Sequence, residues 1–379
     1  MKKIIVAIDS FKGSISSLEA NHAAAKGIKN VFSECEVDEI TIADGGEGML
    51  ELLMTGTNGK KVNVAAHDPL NRLINTTYGL SGDGRTALIE MAGINGLPLL
   101  KESERNPWLT TSYGTGELIA HALNNGCRNF IIGIGGSATN DCGIGMLQAL
   151  GFHFLDKYGQ ESGTGGQIMS KVVTIDTTHV MPALKESIFT VACDVNNPLY
   201  GKTGAAYVYA KQKGADEITI ERLDQGLRHI AKITKEQLGK DITIPGTGAA
   251  GGMGAAFIGF LNASLKPGIQ FSLDLSRFQQ RAKDADLIIT GEGRADKQSI
   301  MGKVLDGVLS KAKPLHIPVI VIAGSVTDME LLNKAGFAGI FPITNSPLSL
   351  QDAMDPVTTK SNITNSVTQI CFLIKSFTK

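Results

Sequence analysis

Acidic and basic side chains gather in four short segments, each placed directly after an apolar run rich in β-branched residues. The segments are DSFKGS at 9–14, ADGGEG at 43–48, ACDVNNP at 192–198 and TGEGRADKQS at 290–299. Each alone could be a capping acid or a surface turn, but together they combine carboxylates with a lysine and an arginine. Phosphoryl transfer needs that combination, with cations and a divalent metal around the phosphoryl group and an acid to receive the proton of the acceptor hydroxyl.

A further segment, FIIGIGGSATND at 130–141, has the layout of an anion-binding loop. An apolar strand leads to glycines and then to a predicted helix start at Thr139 or Asn140, which would present free N–H groups and the positive end of the helix dipole. The alternative is a plain strand–helix turn. The candidate phosphate-binding residues are Gly133, Gly135, Gly136, Ser137 and Thr139.

Other glycine-rich segments allow different interpretations. The loop PGTGAAGGMGAAF at 245–257 suits either a phosphate or close packing through glycine and alanine. GLSGDGRT at 79–86 has the Walker A spacing with Arg85 in place of lysine, but no helix follows it, so we reject it as a phosphate loop. The pattern G-x-G-x-x-A at 133–138 with Asp156 would suit a dinucleotide, which leaves an NAD-dependent oxidoreductase of a small hydroxy acid as one alternative function.

The overall composition is that of a globular enzyme of about two domains, with 379 residues, 42% hydrophobic and 19% charged. The formal net charge of −1 gives no global attraction to nucleic acid or membrane. Five scattered cysteines without a C-x-x-C pair indicate reduced thiols, and the first apolar run ends at Asp9, too early for a signal peptide. We therefore expect a cytoplasmic protein that binds neither nucleic acid nor membrane.

Short apolar strands alternate with helical patterns through most of the chain, which predicts an α/β fold with a mostly parallel sheet covered on both faces. Ser16 and Glu19 form a possible capping box at the first helix. Residues 60–91 break the rhythm with polar–apolar alternation and the turn signals DPLN and GDG, which is typical of an antiparallel meander. We expect a domain border near residues 75–85 and a return to the first domain near 280.

In this order, the motifs resemble those of the bacterial glycerate kinase family of the glycerate 2-kinase type. The motifs that carry the resemblance are DSFKGS (9–14), ADGGEG (43–48), DPLNR (68–72), TTSYGTGELI (110–119), IGIGGSATND (132–141), VACDVNNPLYG (191–201), PGTGAAGGMG (245–254) and ADLIITGEGRADKQS (285–299). The resemblance implies an enzyme, a glycerate kinase that phosphorylates D-glycerate with ATP and Mg²⁺, and it favours 2-phosphoglycerate over 3-phosphoglycerate as the product.

The resemblance also implies two α/β domains with the active site in the cleft. With the borders above, one is a Rossmann-like domain of residues 1–78 plus 283–379 with a mostly parallel sheet. The other is a mixed domain of residues 79–282 that contains the antiparallel meander. A homodimer is one option for the assembly, and a non-catalytic relative that binds a sugar acid is a second alternative function.

Roles for the nucleotide and metal follow from this resemblance. The ATP phosphates would lie on the 133–141 loop, with Gly248, Gly251 and Gly252 of the second loop nearby. Asp194 and Glu292 would hold Mg²⁺, which bridges the β- and γ-phosphates in such reactions.

Roles for the substrate and the transferred group are assigned in the same way. Lys12 would neutralise charge on the phosphoryl group, and Asp44 or Asp194 would orient or deprotonate the acceptor hydroxyl. Arg72 or Arg294 would clamp the substrate carboxylate, because a planar guanidinium suits that pairing. The remaining substrate-binding candidates are Ser10 and Glu47.

Overall fold

The structure, a computed structural model, describes residues 1–42 and 49–377. Two predicted site residues, Asp44 and Glu47, lie outside the described residues. The chain forms two compact units, one made of residues 1–44 and 267–379 and the other of residues 45–266. No helix in the described ranges combines the length and the apolar character that a membrane span needs.

Strands and helices alternate along most of the chain. The strands are β1 (Lys3–Ile8), β2 (Glu36–Glu39), β3 (Lys60–His67), β4 (Leu73–Leu80), β5 (Thr86–Glu90), β6 (Asn129–Gly133), β7 (His153–Leu155), β8 (Thr174–Asp176), β9 (Ile188–Ala192), β10 (Ser264–Lys266), β11 (Leu287–Ala295), β12 (Val319–Val326) and β13 (Gly339–Pro342). The α-helices are α1 (Ser17–Lys29), α2 (Met49–Thr57), α3 (Ala92–Asn95), α4 (Tyr113–Asn124), α5 (Ile144–Ala149), α6 (Ala205–Tyr209), α7 (Glu217–Leu238), α8 (Ala249–Leu261), α9 (Gly268–Leu275), α10 (Phe278–Ala282), α11 (Val304–Ala312), α12 (Met329–Ala335), α13 (Leu350–Ala353) and α14 (Pro356–Phe377).

The first unit is built on a parallel sheet with the strand order β13-β12-β11-β1-β2. Successive residues of β1 enter different cores, with Ile5 and Ala7 on one face and Ile4 and Val6 on the other. This confirms the predicted parallel sheet with both faces covered. Because Ile8 at the end of β1 pairs with Gly291, the segment 9–14 that follows β1 lies beside Glu292 and Arg294, which belong to the last residues of β11.

Helix α1 of this unit begins at the predicted capping box. The Ser16 hydroxyl accepts a hydrogen bond from the Glu19 N–H at 3.3 Å, and the Ser16 N–H donates to the Glu19 carboxylate at 3.0 Å. The helix then packs closely on α14, where a Cβ at Gly27 would lie 2.7 Å from the Thr364 carbonyl oxygen. A glycine is therefore required at this crossing.

The second unit is built on a mixed sheet with the strand order β10-β9-β6-β5-β4-β3. Strands β3, β4 and β5 pair in antiparallel fashion, which confirms the predicted meander, and β5, β6, β9 and β10 pair in parallel. The Walker-like segment GLSGDGRT covers the end of β4, a turn and the start of β5, so it is a hairpin. Strands β7 and β8 form a separate antiparallel ribbon.

The borders of the two units differ from the sequence prediction of 78/79 and 282/283. A border after residue 78 would cut through β4, which pairs with β3 along its full length, so the whole meander belongs to the second unit. Helices α9 and α10 belong to the first unit because Ile269 and Phe278 enter one of its cores. The antiparallel segment therefore lies wholly inside the second unit, whereas the predicted border at 78/79 lies within that segment.

Candidate active site

The loop after β6 exposes only its first glycines. Gly135 and Gly136 are exposed, whereas residues 137–147 are buried. Gly136 has a φ of +70°, and its carbonyl accepts a hydrogen bond from the Leu97 N–H at 2.9 Å. The Ala138 N–H donates to the Asn95 carbonyl, also at 2.9 Å. The glycine turn that a ligand can reach is thus held in one conformation by the segment around residues 95–97.

The predicted helix start at Thr139 or Asn140 is wrong, since α5 begins at Ile144. The reason is the fully buried carboxylate of Asp141, which accepts hydrogen bonds from the N–H groups of Gly143 at 3.1 Å and Gly145 at 3.3 Å. It also accepts from the N–H and hydroxyl of Ser112, both at 2.8 Å. Asp141 therefore caps this helix from inside the protein and is not exposed to a ligand.

The loop also rests on Lys213, a residue that no motif in the sequence singles out. Lys213 is only 2% exposed, and its ammonium group donates to the Ser137 hydroxyl at 2.8 Å and to the Thr139 carbonyl at 2.7 Å. Burial lowers the pKa of Lys213 to about 7, although the negative charge of Asp141 acts in the opposite direction. A lysine in the turn-like sequence KQKG normally indicates a solvated surface, so no local signal could have found it.

The hydroxyls predicted to donate to a phosphate point into the protein. Ser137 is 5% exposed and already bonded to Lys213, and Thr139 is fully buried. The Thr139 hydroxyl and both polar side-chain atoms of Asn140 are buried without a hydrogen-bond partner in the structure. The contacts open to a ligand in this loop are therefore the backbone groups of Gly135 and Gly136.

The second glycine-rich loop lies against the first, and packing explains its glycines. Residues Ala250, Gly251 and Gly252 are all left-handed, with φ values of 51°, 71° and 93°. A Cβ at Gly251 would lie 2.1 Å from the Thr139 carbonyl oxygen, and one at Gly252 would lie 2.8 Å from the Cα of Cys142. The close-packing interpretation therefore accounts for both positions.

The segment after β9 joins the same group of loops. A Cβ at Gly248 would lie 2.1 Å from the Pro198 carbonyl oxygen, so this glycine too is required by packing. The Asn197 carbonyl accepts hydrogen bonds from the N–H groups of Gly246 at 3.2 Å and Gly248 at 3.0 Å. Asp194 is exposed and follows β9, whose last residue, Ala192, pairs with Gly133 at the end of β6. Three of the predicted site segments thus meet at one edge of the second unit's sheet.

The predicted residues of the first unit also cluster at a sheet edge. Lys12 is exposed in the tight turn between Phe11 and Ile15. One carboxylate oxygen of Glu292 is buried without a hydrogen-bond partner. Burial raises the pKa of Glu292, while the Ser299 hydroxyl and the charges of Lys303 and Lys12 act in the opposite direction. Glu292 and Lys12 are therefore close enough for their charges to interact.

Ser10 lies at the same edge of the first unit's sheet. The two candidate arginines differ in their surroundings. The Ser10 N–H donates to the Asp9 carboxylate at 2.7 Å. Arg294 is 68% exposed and forms an ion pair with Asp296 at 3.4 Å.

Arg72, in the second unit, pairs with Asp68 at 2.6 Å and with Glu104 at 2.8 Å. A substrate carboxylate would have to displace at least one of these carboxylates. Arg294 is therefore the stronger candidate for the carboxylate clamp.

The two predicted metal ligands lie in different units, Asp194 in the second and Glu292 in the first. Among residues 1–42 and 49–377, no three His, Cys, Asp or Glu side chains are gathered as they are in a complete protein metal cage. Each carboxylate by itself is a ligand type that Mg²⁺ accepts, because Mg²⁺ binds to few carboxylates and otherwise to phosphate oxygens and water. The unpartnered buried oxygen of Glu292 is an acceptor of that kind.

The buried Lys213 predicts a measurable dependence of stability on pH. Because its pKa is lowered in the folded protein, unfolding takes up a proton above pH 7, so higher pH favours the folded state until the unfolded pKa near 10.5 is reached. The free energy of unfolding of the wild type minus that of Lys213→Met should rise by about 2 kcal/mol between pH 7 and pH 9. Urea unfolding followed by the fluorescence of Trp108, the sole tryptophan and a residue of the same unit, measures it. A flat difference would contradict the buried, lowered-pKa state.

Comparison with known proteins identifies the family of this chain. The model of the glycerate kinase family matches residues 4–375. A glycerate 2-kinase from Escherichia coli K12 is 45% identical over 353 residues, covering 93% of both chains, and a glycerate kinase from Haemophilus influenzae is 46% identical over 354 residues, covering 93% of this chain and 94% of that one. The solved structure of glycerate kinase 2 from Salmonella typhimurium LT2 superposes with a TM-score of 0.88 at 42% identity, over 100% of this chain and 99% of that one. The chain therefore belongs to the glycerate kinase family, a family of phosphotransferases.

Proposed function

We propose that the protein transfers the γ-phosphoryl group of ATP to the 2-hydroxyl of D-glycerate with the help of Mg²⁺. The observation that carries the proposal is the meeting of the exposed Gly135–Gly136 turn with the segment of Asp194, in a chain whose relatives along its length are named glycerate kinases. Backbone N–H groups of a rigid glycine turn suit phosphate oxygens, and a neighbouring carboxylate suits the metal that accompanies them.

The side chains of this protein would share the work of the reaction. Backbone groups of Gly135 and Gly136 would bind the ATP phosphates. Asp194 and Glu292 would hold Mg²⁺, which when bound neutralises charge on the phosphate oxygens. Lys12 would stabilise the charge of the phosphoryl group in transit, and Arg294 would bind the substrate carboxylate through its planar guanidinium.

Proton transfer needs a carboxylate at the acceptor hydroxyl. Asp44 and Asp194 are the candidates, with Ser10, Glu47 and Arg72 as further substrate contacts. We also infer that residues of both units serve one reaction. The enzyme is proposed to be cytoplasmic, because its cysteine pattern indicates reduced thiols. A homodimer is one option to test for its assembly.

The dehydrogenase alternative receives no support from Asp156. Its carboxylate accepts hydrogen bonds from the N–H groups of Tyr158 at 2.8 Å and Gln160 at 3.1 Å, so it closes its own turn beside the β7–β8 ribbon. A ribose-binding acid instead follows the second parallel strand of a βαβ unit, whereas β7 pairs with β8 outside the sheet that contains β6. We therefore retain phosphorylation as the proposed function.

The direct test is release of ADP from Mg-ATP in the presence of D-glycerate. We expect turnover that requires both D-glycerate and Mg²⁺, with 2-phosphoglycerate identified as the product by phosphorus NMR. Addition of NADH with fluorescence detection serves as the control, and no quenching is expected. ADP release that does not depend on D-glycerate would overturn the proposal, and 3-phosphoglycerate as product would correct its position on the substrate.

Replacement of Lys12 tests its role in phosphoryl transfer. Lys12→Met should lower kcat by roughly two to three orders of magnitude while leaving the KM values for ATP and D-glycerate largely unchanged, because a charge used mainly in the transition state contributes little to ground-state binding. Steady-state kinetics on the folded variant measure this, with Lys26→Met on the exposed side of α1 as the matched control. A rise confined to the KM for D-glycerate would instead make Lys12 a substrate clamp.

Replacement of Asp194 tests metal binding. Asp194→Asn should lower kcat at least roughly a hundredfold at low Mg²⁺, with partial recovery at high Mg²⁺ or with Mn²⁺, because the amide is a poorer ligand than the carboxylate. Metal titrations of activity for this variant and for the exposed control Asp284→Asn measure the effect. Near-normal turnover of Asp194→Asn at low Mg²⁺ would remove this residue from the metal site.

A further inference from the structure

We propose that Lys213 is a positioning residue for nucleotide binding, whose ammonium group fixes the 133–141 loop from inside the protein and supplies positive charge behind the Gly135–Gly136 turn. The inference rests on the proposed use of ATP. Lys213 reaches no exposed surface, so its effect on a nucleotide would pass through the loop.

The contacts of Lys213 hold the loop at the residues that follow its exposed turn. The ammonium group binds the Ser137 hydroxyl and the Thr139 carbonyl, one on each side of Ala138. The Ala138 N–H is itself bound to the Asn95 carbonyl, and the Gly136 carbonyl to the Leu97 N–H. The turn is therefore fixed between two attachments, and Lys213 is the one that carries charge.

A purely structural role does not explain why this residue is charged. A buried ammonium group costs several kcal/mol to desolvate, and apolar replacements of buried ionic groups are often neutral or stabilising. The carboxylate that acts on Lys213 electrostatically, Asp141, already accepts four hydrogen bonds from Ser112, Gly143 and Gly145. Because burial lowers the pKa of Lys213 to about 7, its amino group is only partly protonated at neutral pH, and an anion at the exposed turn would favour the charged form with little screening by solvent.

The segment that carries Lys213 also reaches the loop of Asp194. Lys213 ends a short 3₁₀ helix directly after α6, and the Tyr209 hydroxyl of α6 donates to the Asn197 side-chain oxygen at 2.6 Å. The Asn197 side chain in turn donates to the Thr203 carbonyl at 2.8 Å. One short segment therefore fixes both the proposed phosphate loop and the proposed metal-binding loop.

The test compares Lys213→Met with Lys211→Met, which removes an exposed lysine from the same 3₁₀ helix. We expect Lys213→Met to raise the KM for ATP and the Kd for ADP, measured by calorimetry without turnover, at least tenfold, or about 1.4 kcal/mol. The KM for D-glycerate should stay within about twofold of the wild type, and all constants of Lys211→Met should do the same.

Two results would overturn the proposal. One is unchanged ADP affinity in folded Lys213→Met, and the other is an equal rise in both KM values, which indicates a general loss of structure. If Lys213→Met does not fold, Ser137→Ala removes one of the two loop contacts, and the proposal then stands only if the Kd for ADP rises without a change in the KM for D-glycerate. A wild-type enzyme that neither binds ADP nor consumes ATP would refute the proposed function itself.

Discussion

The loops of the second unit depend on the buried carboxylate of Asp141. It binds the start of α4 through Ser112 and caps α5 through Gly143 and Gly145, so one side chain fixes two helices against the glycine-rich loop between them. A carboxylate removed from water needs several donors, and the structure supplies four. Loss of this group would leave those N–H groups buried and unbound, and the loop would lose the surface against which it packs.

Asp141 and Glu292 are carboxylates whose pKa is raised by burial, but they are buried in different ways. The oxygens of Asp141 are satisfied by the protein, so this residue stabilises the fold and has no capacity left for a ligand. Glu292 retains an unpartnered oxygen and lies within the electrostatic reach of two lysines. A buried acceptor without a donor is costly in a folded protein and is common where a cation or substrate completes the set. Burial alone therefore does not distinguish a carboxylate of a binding site from a structural one, whereas the number of hydrogen-bond donors to its oxygens does.

The sequence predicted the parts of this protein that are encoded locally. Apolar strands followed by polar turns predicted the two kinds of sheet, and the capping box at Ser16 predicted the start of α1. What it missed depends on tertiary contacts: the helix start at Ile144 depends on the capping by Asp141, and the role of Lys213 depends on a loop 74 residues away in sequence. The predicted border at 78/79 differs from the border of the units for a related reason. Strand β3 pairs with β4 along its full length, so both strands belong to the second unit.

The left-handed run at residues 250–252 bears on how members of this family can be recognised. Gly251 and Gly252 are required because a Cβ at either position would lie too close to the backbone of residues 139–142, a demand made by folding and independent of any nucleotide. A lineage that lost phosphoryl transfer but kept the fold would therefore keep the same glycine pattern. The pattern identifies the scaffold, and a pseudoenzyme would be recognised instead by changes at the exposed side chains proposed for the reaction, such as Lys12 and Asp194, which the fold does not constrain through burial.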